Sequence, residues 1–190
     1  HASGYNSRIE VAARRALMTG VNQVLIQNTE QMAKDLETED FEVSWHATAR
    51  PSHQIWQGRV YPKQELIDKC GLGKVDGLLG ASCYHFYYPF IKGVSTRTYT
   101  DEELDKMNAK ENEKQEYRGR EYTTYEATQH QRKLERLMRK YKRDIHLLEK
   151  GNADQEEIRN VSSRYRATMQ EYVDFSKEMG LPQQRERIYV

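Results

Sequence analysis

The chain has 190 residues, enough for one well-buried core or a compact core with an appendage. A charged fraction of 31% and a mean hydropathy of −0.98 confine that core to a few segments, and 30 basic against 29 acidic residues exclude a bulk attraction to nucleic acid. Two cysteines, Cys70 and Cys83, exclude a disulfide framework and a Cys-x-x-Cys redox pair, and no run approaches the ~18 apolar residues of a membrane span, so a reducing cytosol and no membrane partner are expected.

His1-Ala2-Ser3 reads as the remnant of an expression tag, and the natural chain is expected to begin further upstream. From Ser7, the expected N-cap, apolar residues recur at helical spacing through Ile9, Ala13, Leu17, Val21, Val24, Leu25, Met32 and Leu36, which predicts a long first helix. Phe41 to His46 alternates with period two. A half-buried strand there places Phe41, Val43 and Trp45 inward, with Glu42, Ser44 and His46 on the other face. Residues 47–80 hold Arg50-Pro51, Tyr61-Pro62 and several glycines, a composition of loops and turns. The aromatic run Cys83 to Tyr88, bounded by Gly80 and Pro89, predicts a second strand, and with it a small mixed sheet.

Thr100-Asp101-Glu102-Glu103 is a capping box opening a short helix to about Lys110. Asn112 to Arg120 is polar and reads as a linker. Thr123 to Glu126 is a second capping box, followed by a seam of Leu134, Leu137, Met138, Tyr141, Ile145 and Leu148 that Gly151 should stop. A third helical seam runs from Ile158 through Val161, Tyr165, Met169, Tyr172 and Phe175 to Met179, before Gly180 and Pro182. The short Gly-Asn-Ala-Asp turn makes the last two helices an antiparallel hairpin. The expected fold class is therefore α+β: a module over residues 4–110 with a long N-terminal helix on a small sheet, then a helical hairpin arm and tail over residues 121–190.

Two segments carry a family signature. Ser44 to Val60, with its Trp-His, Arg-Pro-Ser-His and Trp-Gln-Gly elements, resembles the strand and turn of the phage minor capsid protein 2 family, related to the minor head proteins of tailed phages. Gly77 to His85, leading to Pro89-Phe90-Ile91-Lys92-Gly93-Val94-Ser95, resembles that family's Gly-rich turn, Cys-x-His and Pro-Phe-x-x-Gly-Val-Ser stretch, with Ala81-Ser82 standing where an Asn is expected before the Cys. The similarity continues through Tyr117-Arg118-Gly119 and Tyr125 to Gln129 into the hairpin. It implies a non-enzymatic virion protein, made in the host bacterial cytoplasm, that accompanies the portal or other capsid proteins during head morphogenesis and is packaged or ejected with DNA.

Cys83 and His85 are two apart on the predicted strand and so share a face, as two ligands of one metal would. His46 and His53 complete a candidate set for zinc. The bland alternative has the histidines bonding loop carbonyls while Cys83 packs as a small apolar residue. A catalytic alternative uses His46, Arg50, His53, Cys83 and His85 as the centre of a phage-borne effector, for example an RNA-cutting toxin, although strand neighbours stand ~7 Å apart and disfavour a direct Cys–His pair. Arg50 and Arg59 suit either phosphate or nearby carboxylates. On the first hairpin helix, Arg132, Lys133, Arg136, Arg139, Lys140 and Arg143 form the most basic stretch, a candidate for sequence-independent DNA contact or for a partner protein, unless Glu156, Glu157 and Glu171 of the facing helix balance it.

Overall fold

The apolar period that begins at Ile9 folds as helix α1, Ile9–Asp35, in the computed structural model, which describes residues 9–189; Ser7, the expected N-cap, lies outside the described residues. The face that α1 turns to the sheet is not the expected seam. Asn22, Ile26, Thr29 and Ala33, spaced three or four apart, pack inward, with Asn22 Nδ2 donating to the Leu79 carbonyl at 2.8 Å. Leu17, Val21, Val24, Met32 and Leu36 stay exposed. Apolar residues are spread around the whole circumference of this helix, so periodicity alone had no single face to choose. Glu37 in the left-handed region (φ 50) ends it, with Thr38 N–H donating to the Ala33 carbonyl.

By its contacts the chain divides into two units, His1–Asn108 and Ala109–Val190. In the first, strand β1 (Asp40–Val43) lies between β2 (Val60–Pro62) and β3 (Tyr87–Phe90), antiparallel throughout where a mixed sheet was expected. Phe41 pairs with Tyr61 on one side and Pro89 on the other. Pro89 thus sits inside a strand it was expected to bound. An edge strand tolerates it, because a missing N–H costs nothing on the unpaired side. β1 stops at Val43, and Glu42 is buried like its neighbours, its carboxylate accepting from Thr98 N–H at 2.7 Å. The chain after β3 covers that face, which a strand read in isolation leaves to solvent.

The stretch expected as loop holds helix α2 (Pro51–Gln54), β2 and helix α3 (Lys63–Asp68), whose N-cap is Pro62 and whose Leu66 is fully buried. Residues 71–81 then close into a knot: Leu78 N–H donates to the Cys70 carbonyl and Ala81 N–H to the Val75 carbonyl. At Gly77 a Cβ would collide with the backbone of Gly71, so the crossing requires glycine. Helix α4 (Asp101–Glu111) opens on the expected capping box, Thr100 and Glu103 exchanging hydrogen bonds of 2.8 and 3.2 Å.

In the second unit the expected linker is structured. β4 (Gln115–Tyr117) and β5 (Arg120–Tyr122) form a hairpin around Arg118-Gly119, both at positive φ as a type I′ turn demands. Their tyrosines, Tyr117 and Tyr122, meet Phe175 edge-on at 5.1 and 5.3 Å between ring centres, so tertiary packing recruits a sequence too polar to announce itself. Helix α5 (Thr124–Lys150), capped by Thr123 and Glu126, and helix α6 (Gln155–Glu178), capped by Asp154, pack antiparallel. Asn152 rather than Gly151 takes the left-handed position that ends α5: its N–H reaches the Glu149 carbonyl, and that of Ala153 reaches Leu148. The expected seams face each other, buried at Leu134, Met138, Tyr172, Phe175 and Met179 and half-buried toward the turn. A 3-10 turn, Arg185–Ile188, returns to this core and buries Ile188.

Candidate functional site

The first unit brings together His53, Cys83 and His85, all buried, with one ligand atom of each within 4.8 Å of the others. His53 is carried by α2, where Pro51 at the first helical position starts a single turn and Trp56 packs tilted against the imidazole, 4.5 Å between ring centres. Cys83 and His85 lie on irregular chain before β3, not on the strand expected there. Ser82 at φ 59 bends the backbone, and the two side chains touch, Cys83 Sγ standing 3.4 Å from His85 Nδ1. The strand spacing that argued against a direct Cys–His pair therefore does not apply. Sγ is also 3.8 Å from His53 Nδ1.

Each imidazole is held from behind through Nε2. His53 Nε2 lies 2.8 Å from the Asp76 carbonyl, and His85 Nε2 lies 2.8 Å from Gln57 Oε1. Gln57 is itself pinned: its Oε1 accepts from His46 N–H at 3.0 Å and its Nε2 donates to Asn108 Oδ1 at 3.1 Å. Asn108 Oδ1 also accepts from Trp45 Nε1 at 3.3 Å, and Asn108 Nδ2 donates to the Gln54 carbonyl at 3.1 Å. The sequence offered no signal for Gln57 or Asn108. A buried amide in a polar stretch looks like any solvated one until its partners are known.

His46 stands apart. Its Nε2 engages Ser44 Oγ at 3.1 Å, and its ring meets His85 edge-on rather than presenting a nitrogen to Cys83. Arg50 donates to the Ala81 carbonyl at 2.9 Å, bracing the chain just ahead of Cys83. Arg59 takes the carboxylate option, bonding Asp101 and Asp105 across to α4.

The electrostatics favour neutral groups. Burial lowers the pKa of His53 and, with the cationic forms of His46 and His53 and the Arg50 charge nearby, drives His85 down to about 3. Burial pushes the Cys83 thiol up, against backbone hydrogen bonds that hold it down. A thiolate–imidazolium pair needs the opposite shifts, and a nucleophile needs access that these buried atoms lack. As a catalytic centre the cluster is poorly set.

In the second unit Lys133, Arg136 and Lys140 are exposed on α5, with Arg132, Arg139 and Arg143 partly so; the spacing of 132, 136, 139, 140 and 143 makes one stripe. Arg139 is committed to the Arg187 carbonyl, and Lys142 lies 4.5 Å from the Tyr189 ring centre. Glu171, expected to balance the stripe, pairs with Arg118 instead. Beneath the stripe Glu135 is buried, and burial raises its pKa despite Arg187, Arg139 and Arg132.

A family model described as phage minor capsid protein 2 matches residues 1–175 of the chain. No curated protein and no solved structure matches the chain.

Proposed function

The chain belongs to the phage minor capsid protein 2 family, and from that membership we propose that it joins the phage head by docking on the portal during morphogenesis and is packaged or ejected with DNA. A phage minor capsid protein has a structural role in the virion. The observation that carries the docking proposal is the free surface of α1. Residues 11–21 of this helix are exposed on every side, Leu17 at 68%, and Val24 and Met32 remain more than half exposed beyond them. A helix that buries so little of its apolar surface is short of a partner. Among the described residues no helix is long and apolar enough to cross a membrane; the exposed apolar residues of α1 fit an apolar protein surface.

The basic stripe of α5 supports contact with packaged DNA, through phosphates and without sequence readout. The closed His–Cys cluster supports a structural role over the effector reading. The experiment is genetic. Leu17, Val21 and Val24 are changed together to Gln in phage, and purified heads are analysed by mass spectrometry for this chain against portal. These side chains support no core, so the protein should accumulate in infected cells yet be lost from heads. Wild-type incorporation of the triple variant would remove α1 as the docking element.

A further inference from the structure

We infer that His53, Cys83 and His85 are the ligands of a structural zinc-type cation, bound through the two Nδ1 atoms and the Cys83 thiolate. The inference rests on where the protons must be. The Asp76 carbonyl accepts only, so His53 Nε2 carries a hydrogen and Nδ1 is a bare lone pair. For His85 the same result follows through a chain of fixed polarities. Trp45 Nε1 can only donate, which makes the Asn108 atom facing it the oxygen. That oxygen must receive the Gln57 NH₂, and the remaining Gln57 oxygen receives both His46 N–H and His85 Nε2–H. His85 Nδ1 is therefore bare as well.

Two buried imidazole lone pairs thus converge on one sulfur. A thiol has a single proton and satisfies one of them, leaving the other an unpaired acceptor in a closed site. A cation satisfies all three donors. On binding, the Cys83 S–H bond breaks, its proton leaves to solvent and a sulfur–metal bond forms, while both histidines bind as they stand, neutral. The spacing agrees. With Zn–S near 2.3 Å and Zn–N near 2.0 Å, a tetrahedral angle separates sulfur from nitrogen by about 3.5 Å. The two observed Sγ–Nδ1 separations, 3.4 and 3.8 Å, bracket that value.

The outer contacts are also those of a metal site, where a ligating histidine donates its second N–H to a carbonyl or amide oxygen that fixes the ring. His2Cys with one thiolate suits zinc better than calcium or magnesium, which take oxygen. The three side chains fill three of the four positions of the tetrahedron. The metal would clip α2 to the chain entering β3, 30 residues further on, and so hold the glycine knot between them. His46, a candidate from the sequence, is not among the ligands.

The test uses the full chain purified without a metal column and without a polyhistidine tag. Elemental analysis is expected to find one zinc per chain after reconstitution. Cobalt(II) should replace it, with the strong visible bands of a tetrahedral site and a near-ultraviolet thiolate-to-cobalt band. Cys83→Ser removes the thiolate band, Gln57→Ala weakens metal affinity by roughly 10–100-fold, and His46→Ala keeps both metal and spectrum. The inference is overturned by wild-type protein that takes up no stoichiometric zinc or cobalt, by a cobalt spectrum without a thiolate band, or by loss of metal on His46→Ala. The wild-type readings decide even if Cys83→Ser does not fold.

Discussion

Replacing Phe175 with Ala tests whether the second unit is held as described. The ring is fully buried and touches three other rings: Tyr117 and Tyr122 edge-on, and His130 at 4.5 Å between centres. A buried Phe→Ala change costs about 3–5 kcal/mol, less where neighbours can collapse into the space. These neighbours are rigid rings on a hairpin and a helix, so about 4 kcal/mol is expected. For a unit of about 80 residues, total stability is roughly 4–12 kcal/mol, which makes that loss a third of it or more. In urea, with an m-value of about 1.5 kcal/mol/M, the midpoint followed by circular dichroism should fall by about 2–3 M. The β4–β5 hairpin loses its anchor at the same time, so trypsin should cleave after Arg118 or Arg120 far faster than in wild type. A loss below about 1 kcal/mol, with the hairpin as resistant as before, would refute the claim that this segment belongs to the core and would restore it as a linker.

Glu135→Gln should raise the melting temperature of the second unit at neutral pH. The folded state raises the pKa of this carboxyl, so its contribution is intact below the ordinary carboxylate range near 4.5 and is lost as pH rises through the folded value; the variant's advantage should disappear in acid, and an equal advantage at every pH would count against burial as the cause. Changing Lys133, Arg136, Lys140 and Arg143 to Gln should weaken binding to any duplex alike and reduce the slope of log K against log salt by about three to four units. An unchanged slope in a filter-binding titration would clear the stripe of contact with DNA. Gly77→Ala forces a Cβ into the Gly71 backbone, and differential scanning calorimetry should show the first unit destabilised by roughly 1–3 kcal/mol; a wild-type transition would mean the crossing relaxes easily.

The features legible in the sequence are those set by neighbours in the chain. Capping boxes at Thr100 and Thr123 declare themselves within four residues, and the α5 and α6 seams are periodic enough that their pairing across a short turn follows. The family signature likewise sits in contiguous motifs. Tertiary structure decided whatever depends on partners distant along the chain. α1 turned Asn22 and Thr29 inward because a carbonyl at Leu79 and another at Tyr87 were there to meet them, leaving its more apolar residues outside. Glu42 is buried because Thr98 N–H, 56 residues on, receives its carboxylate. At the candidate site, residue types pointed to His53, Cys83 and His85, but only the fold separated His46 from them. Only the fold, too, revealed Gln57 and Asn108 as the groups that fix which nitrogens carry protons. A side chain's chemistry is written in its own letter; whether its lone pair is free depends on a hydrogen-bond network whose members stand up to 63 positions apart in the chain.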